Sequence, residues 1–557
     1  MTTAENYQAV KAGRSALRRY EHHWQLPEPF TASLFTEQRR QALATSGLTR
    51  FESLAVRSAQ DAISRSGIDV TSQRVIFILS STKGNIELLE EGADVSMGTA
   101  AERIARHLGF TTMPLVVCNA CISGVSAIVA ALRLLEAGAY DYAVVCGADV
   151  QNKFTVSGFQ SLKAVAEDAC RPFDIERIGL NLGEAAATIV FANDGSTDSP
   201  QDGSTSSPQG KGRWAVLRGA VCNDAYHIST PSKDGEGARL ALQEVLQGVE
   251  PDDLAFVNAH GTATMYNDQM ESKAIERAGL SEVPVNALKG YYGHTLGAAG
   301  VLETIISMAA LDDHTILATK GFEEMGVSGK IRLSANHQTT NKHCFVKMIS
   351  GFGGGNAALL LKRDRDSKAL RRYLEGLEAA PQGLRALGSI KLSPETPLTT
   401  LYKEHIGDYP KYYKMDGLSR LGFVASELLL GDGSSDHSRL ATTDKENRPH
   451  CAIILFNRSS SIDADRKYQA SIASDDDFFP SPSVFVYTLP NIVTGEIAIR
   501  HQWKTETSFY ILPERNDALM QQIVEASLAP GELVLTGWID YEDDEHYEAD
   551  ITLNMKD

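Results

Sequence analysis

The segment Pro114–Glu136, PLVVCNACISGVSAIVAALRLLE, constrains the fold more than any other part of the chain. Its opening run, PLVVC, is apolar, too short for a helix, and fits a buried strand. Residues 122–136 follow as a helix that is apolar on nearly every face. Such a helix has no side to give to water and must be covered all round. A simple three-layer arrangement leaves one helix face exposed, so this segment predicts a helical layer held between two sheets.

The rest of the chain supplies those sheets. Short apolar runs at 74–80, 141–147, 187–192, 214–220, 254–258 and 344–349 read as strands. Helical spacing recurs at 48–64, 101–108, 237–247, 268–278 and 298–311. Apolar strands alternating with helices indicate an α/β fold with parallel or mixed sheets covered on both faces. A length of 557 residues allows about three to four domain-sized units. Polar, aperiodic stretches at 196–213 and 431–448 predict surface loops. A break with KRDRD, AAPQG and SPETP, from about 363 to 396, predicts the domain boundary. Domains are therefore expected at 1–362 and 385–557, with a linker at 363–384.

The formal charge of -18 argues against nucleic acid, because phosphate binding needs a basic footprint. Residues 371–557 carry 30 Asp and Glu against 18 Lys and Arg, about two thirds of the excess. Seven scattered cysteines fit a reduced, cytoplasmic protein. Cys118 and Cys121 have C-x-x-C spacing, but no second pair completes a metal or redox motif, so no metal is expected. No apolar run is long enough to span a membrane, and no signal peptide is expected.

Several residues are placed where chemistry could happen. Cys121 lies between a buried strand and a buried helix, where free N–H groups and the helix dipole favour a thiolate. His260 follows strand 254–258 in FVNAHGTAT, at the carboxyl end where α/β folds present catalytic groups. Lys289 and His294 lie in ALKGYYGHTLGAAG, before a helix that begins with small residues. GFGGGN, 351–356, ends a strand in a turn whose N–H groups could face an oxyanion. Each of these, taken alone, is equally an ordinary packed cysteine, a satisfied histidine or a tight turn.

In this order the segments NACISG, CRPFDIERIGLNLGEAAA, NDAYHISTP, NAHGTAT, DQME, KGYYGHTLGAAG and GFGGGN resemble the β-ketoacyl-(acyl carrier protein) synthases of fatty-acid and polyketide type. The resemblance covers about residues 3–362. It implies a thiolase-like α-β-α-β-α fold built from two similar halves, and acyltransferase activity of the elongating Cys-His-His class. A cytoplasmic dimer, homodimeric or ketosynthase-like heterodimeric, would act with no bound cofactor. Both substrates would arrive on the phosphopantetheine arm of acyl carrier protein. Cys121 would carry the acyl chain, and His260 and His294 would stabilise the enolate formed when malonyl carrier protein loses CO2. Backbone N–H groups of Cys121 and Phe352 would form the oxyanion hole, with Phe352 also gating access. Lys289 would hold the loop geometry through Glu271. Asp268, Thr262, Thr264, Gly353 and Asn356 would support the site. A non-catalytic chain-length or scaffold subunit is the alternative, although the three reacting residues are present. A degradative thiolase lacks the second histidine.

Three departures stand out. The family's opening strand is not matched, so either the true start lies upstream of Met1 or a central strand is expected to be missing from the first sheet. Leu288 stands where the family has Ser-x-Lys-Ser, and Gly355 where it has Thr. Residues 385–557 also repeat the element order of 48–150 and look like a degenerate ketosynthase half. In that reading SVFVYTLPNIVTGEIAIRHQW, 483–503, takes the place of the nucleophile strand and helix, with Leu489, Pro490 and Asn491 where a thiol would be. This half is expected to pair with a partner, to shape chain length, or only to cover a surface.

Overall fold

The computed structural model describes residues 2–193, 213–364, 383–431, 451–474 and 478–557. The loops expected at 196–213 and 431–448 and the linker at 363–384 fall almost wholly outside the described residues. Four strands make the first half: β1 Val75–Ser80, β2 Leu115–Val117, β3 Tyr142–Asp149 and β4 Ala185–Ala192. Their order is β2-β1-β3-β4, with β1 parallel to β2 and β3, and β4 antiparallel to β3. The second half has β5 Arg213–Asn223, β6 Leu254–Asn258, β7 Pro284–Asn286, β8 Arg332–Leu333, β9 Cys344–Ser350 and β10 Gly355–Asp364. Its order is β8-β7-β6-β9-β10-β5, and β7-β6-β9-β10 repeats the directions of the first sheet. The two halves are alike, as the thiolase-like reading requires.

The comparison of halves corrects one expectation. In the second sheet β5 lies antiparallel outside β10, at the edge. In the first sheet β4 has a strand partner on one side only among the described residues. The unmatched strand therefore corresponds to an edge position, while the central pairing of β1 with β3 is continuous. An edge position leaves the core intact, and β4 is only half-buried along most of its length.

Between the sheets lies the apolar helix, Ser123–Glu136, with every residue from Ser123 to Ala131 buried. It crosses helix Ala299–Asp312 at glycine: a Cβ on Gly124 would lie 2.9 Å from the Gly297 carbonyl oxygen, and one on Gly300 2.5 Å from Val125 N. Only glycine permits that backbone approach. Ile76 and Val117 of one sheet, Ile128 of the helix, and Phe256 and Phe345 of the other sheet share one core.

The carboxyl-terminal lobe adds β11 Leu384–Leu392, β12 Cys451–Asn457, β13 Thr507–Ile511, β14 Leu533–Asp543 and β15 His546–Lys556, in the order β11-β15-β14-β12-β13. β13 pairs antiparallel with β2, Tyr510 opposite Val117 and Ile511 opposite Val116. The pairing fuses the lobe and the first half into one nine-stranded sheet. The directions again match: β12 is parallel to β13 and β14, and β15 antiparallel to β14.

The alignment expected for 483–503 fails here. Pro482–Tyr487 and Ile492–His501 are both helices, and they precede the strand that meets β2. The turn in the nucleophile's topological position is instead Leu512–Asn516, leading into helix Asp517–Ser527. The run SVFVY is short, apolar and β-branched, and such runs carry no periodicity that separates strand from buried helix. Leu512, Pro513, Glu514, Arg515 and Asn516 likewise contain no thiol. No helix among the described residues is long and apolar enough to cross a membrane.

Candidate active site

Cys121 sits in a short 3-10 turn between β2 and the buried helix. Ala120 holds a left-handed φ of 48°, an uncommon conformation for a residue with a Cβ. Surrounding bonds fix it: Ser123 Oγ donates to the Ala120 carbonyl (2.6 Å) and accepts the Asn119 N–H (2.8 Å). The carboxyl-terminal lobe supplies the rest. Phe509 N–H donates to Asn119 Oδ1 at 2.7 Å, and Cys118 N–H donates to the Phe509 carbonyl at 3.2 Å.

His260 leaves the end of β6 into a turn clamped by one carboxylate. Glu271 accepts the N–H of His260 (2.6 Å) and of Gly261 (2.7 Å). Asp268 accepts the N–H of Phe173 (2.6 Å) and Ala263 (3.2 Å), and burial raises its carboxyl to about 6. The hydroxyls of Thr262 and Thr264 meet at 2.9 Å. His294 donates its N–H to the Asn181 carbonyl at 2.7 Å, and its Nδ1 accepts the Leu296 N–H at 3.3 Å.

Lys289 does not work through Glu271. Its Nζ donates to Glu303 Oε1 and to the His260 carbonyl, both at 2.7 Å. Lys347 Nζ donates to the other oxygen of Glu303. Glu271 accepts two backbone N–H groups and the Asn267 side-chain N–H, and the carboxylate that meets Lys289 is Glu303 on helix Ala299–Asp312. The signals for this triad were a lone Glu in VLETIISMAAL and a lone Lys in CFVKMIS, each a charge within a buried apolar element.

The structure brings Cys121, His260 and His294 together: Sγ and a nitrogen of each imidazole lie within 4.8 Å of one another. The imidazole rings stand 4.9 Å apart at 83°. His260 Nδ1 and His294 Nε2 are buried with no hydrogen-bond partner among the described residues. Because His294 Nδ1 accepts a bond, its proton resides on Nε2, an unpaired donor aimed at the site. Burial first, and then the ammonium of Lys289, hold both imidazoles well below their usual range, so both are neutral.

The cysteine departs from expectation. Burial pushes its thiol up to about 12, and the N–H groups of Cys121 and Phe352, which face the sulfur, only partly offset this. Desolvation outweighs the helix start, so the resting group is the thiol.

The glycine-rich turn closes over Cys121. A Cβ on Gly351 would lie 3.2 Å from Cys121 N. Gly353 adopts φ +86°, and a Cβ there would lie 2.6 Å from Asn491 Nδ2. Asn356 ties the turn together, accepting from Ser350 Oγ (2.7 Å) and donating to the Gly354 carbonyl (3.0 Å). At Gly355 a Cβ would lie 2.9 Å from Ile122 Cδ1, the movable end of a side chain, and nothing in the structure explains the missing threonine. Leu288 is buried with Tyr7 and Val10 of helix Thr3–Lys11, which accounts for the second departure. Asn119 opens the segment NACISG and Asn491 stood in the misaligned stretch 483–503, but neither was read as an anchor of the two turns.

Comparison with known proteins agrees with this geometry. The family described as beta-ketoacyl synthase, N-terminal domain, matches residues 3–194, and its C-terminal domain matches 214–323. A 3-oxoacyl-[acyl-carrier-protein] synthase 2 of Rhizobium meliloti is 34% identical over 263 residues, 44% of this chain and 60% of that protein. One from Vibrio cholerae is 27% identical over 410 residues, 65% of this chain and 95% of that protein. A solved structure, PfaC Keto synthase-Chain length factor, superposes with a TM-score of 0.72 over 100% of this chain and 77% of that one, at 13% identity. That likeness extends the shared fold through the carboxyl-terminal lobe.

Proposed function

The chain belongs to the beta-ketoacyl synthase family, and from that premise we propose that Cys121, His260 and His294 carry out a decarboxylative condensation of malonyl and acyl groups delivered by a carrier protein. The observation that carries this reading is the meeting of one sulfur and two neutral imidazoles within 4.8 Å. In the first step the Cys121 thiol gives up its proton as the sulfur attacks the acyl thioester. The carbonyl oxygen takes the charge, bonded by the N–H groups of Cys121 and Phe352. The carrier's sulfur leaves with a proton, and the chain stays on Cys121.

In the second step the thioester oxygen of the malonyl group accepts hydrogen bonds from His260 and His294. The bond to the carboxylate breaks, CO2 departs, and its electron pair forms an enolate that these N–H groups stabilise. The enolate carbon attacks the acyl carbonyl on Cys121, the C–S bond breaks, and the departing thiolate takes up one proton from solvent. Neutral donors suit this step, because a neutral imidazole N–H bonds the enolate oxygen without giving up its proton, whereas an imidazolium is acidic enough to protonate and quench the enolate. Lys289, Glu303, Glu271 and Asp268 position the histidine turns. Thr262 and Thr264, whose hydroxyls bond each other beside His260, would support the same turn.

The carboxyl-terminal lobe reads as a degenerate ketosynthase half that occupies the partner's position within the same chain. The antiparallel union of β13 with β2 and the bonds from Phe509 and Asn491 to the two active-site turns support this. The chain would thus be a covalent counterpart of a ketosynthase heterodimer. Cys121→Ala and Cys121→Gln test the mechanism with purified carrier protein. Both should abolish condensation, and Cys121→Gln should still decarboxylate malonyl carrier protein. Undiminished condensation by Cys121→Ala would remove the reading.

A further inference from the structure

An unbroken run of aromatic side chains leads away from the proposed nucleophile. Phe352, whose N–H faces the Cys121 sulfur, stacks on Phe159 at 6.1 Å. Phe159 meets Phe485 edge-on at 5.4 Å, and Phe485 lies 5.2 Å from Tyr468, which packs on Phe154 at 4.7 Å. Phe485 and Tyr468 come from the carboxyl-terminal lobe. The same cluster holds Leu296, whose N–H is bonded to His294. This is the apolar surface that borders the reacting trio.

The run ends on a charge. The Lys83 ammonium rests over the Phe154 ring, 5.2 Å from its centre. It pairs with Asp465 at 3.0 Å and donates to the Thr488 carbonyl, both across the lobe boundary. Both members of the pair are buried, with side chains 5% and 7% exposed. Behind them opens a cavity of about 960 Å³ between the lobes. Lys83, Ile86, Asp465, Arg466, Gln469 and Glu542 are among the residues that line it. The cavity and the aromatic run therefore share one partition, and that partition is an ion pair.

We propose that the Lys83–Asp465 pair is the stop that ends the acyl chain's path from Cys121, and that the cavity behind it is space the chain would enter if the pair were removed. A hydrocarbon end reaching Lys83 would have to displace a buried ammonium from its carboxylate and carbonyl partners. Breaking such a pair without replacement is strongly unfavourable. An apolar chain is thus better accommodated up to the pair than through it. This inference rests on the proposed role of Cys121 and gives the carboxyl-terminal lobe a defined part in it: Asp465, Thr488, Phe485 and Tyr468 form half of the lining and the stop.

The test compares the wild-type chain with Lys83→Met/Asp465→Leu, which replaces the pair by apolar groups of similar size, and with Lys83→Arg, which keeps the pairing. Carrier protein loaded with saturated acyl chains in two-carbon increments is offered, and acyl-Cys121 is read by intact mass. Products under malonyl carrier protein are sized in parallel. The double variant should load and elongate chains at least one two-carbon step longer, while short chains react within about twofold of wild type. Lys83→Arg should leave the limit unmoved. Lys83→Gln, which keeps a bond to Thr488, is the second variant if the double one does not fold, and should also raise the limit. An unchanged limit in folded variants that retain short-chain condensation overturns the stop, as does a wild-type chain with no length limit. If no chain of any length appears on wild-type Cys121, the catalytic reading itself falls, and the stop with it.

Discussion

Asn491 Nδ2 donates to the Phe352 carbonyl at 2.9 Å, so a side chain of the carboxyl-terminal lobe holds the turn whose next groups face the proposed nucleophile. Removing that donor frees the turn that presents the Phe352 N–H. Asn491→Ala should slow acyl transfer to Cys121 by about tenfold, because the hole loses its preorganised geometry. Malonyl decarboxylation in a Cys121→Gln background depends on the histidines and should be unaffected. Stopped-time acylation read by intact mass separates the two.

Cys121 should alkylate as a buried thiol. Its range is raised to about 12, so the thiolate fraction is small at neutrality and grows as pH rises. The iodoacetamide rate at Cys121 should climb about tenfold per pH unit from near 7 to 9, with no plateau. A plateau below pH 8 would mean that a partner lowers the thiol's range.

Glu303 pairs with two buried lysines, Lys289 and Lys347, one on each carboxylate oxygen. Glu303→Ala leaves both lysines without their carboxylate and should cost about 3–5 kcal/mol. Thermal unfolding should show a large fall in Tm, and Lys347→Met combined with Glu303→Ala should recover part of it.

The ring of Phe485 lies where a side chain on Gly158 would go, 2.1 Å from the position of a Cβ. Gly158→Ala should therefore destabilise by about 1–3 kcal/mol through overpacking. Adding Phe485→Leu should restore most of the loss. A double-mutant cycle on Tm measures the coupling across the lobe boundary.

Deleting residues 385–557 exposes the β2 edge and unpins Asn119. The expected result is loss of soluble, active protein, since an uncovered strand edge invites association. A soluble truncated chain with normal condensation would contradict the pairing described here.

Much of this architecture was legible. The apolar helix at 123–136 could be buried only between sheets, and that is where it lies. Cys121 and His260 stood at strand ends and His294 before a small-residue helix, and the order of the family-like segments around them singled out the three. The partners could not be singled out. Lys289 was assigned to Glu271 as part of the family resemblance, but its pairing with Glu303 depends on which buried elements the tertiary fold brings beside it. Strands Leu384–Leu392 and His546–Lys556 escaped notice because the first is an edge strand with mixed burial and the second alternates polar residues with buried ones. The misplacement of 483–503 had a different cause: helix Pro482–Tyr487 is a short buried piece whose composition fits either structure.

The seam between β13 and β2 also bears on dilution. Two separate chains joined along such an edge would part as concentration fell, and the reacting turns would lose their anchors with them. Here the anchor is tethered, so its local concentration is fixed by the chain and not by how much protein is present. Specific activity should stay constant as the protein is diluted. Each molecule also carries the proposed nucleophile on one side of the seam and its anchors, Phe509 and Asn491, on the other, so the two sides must change in sequence together.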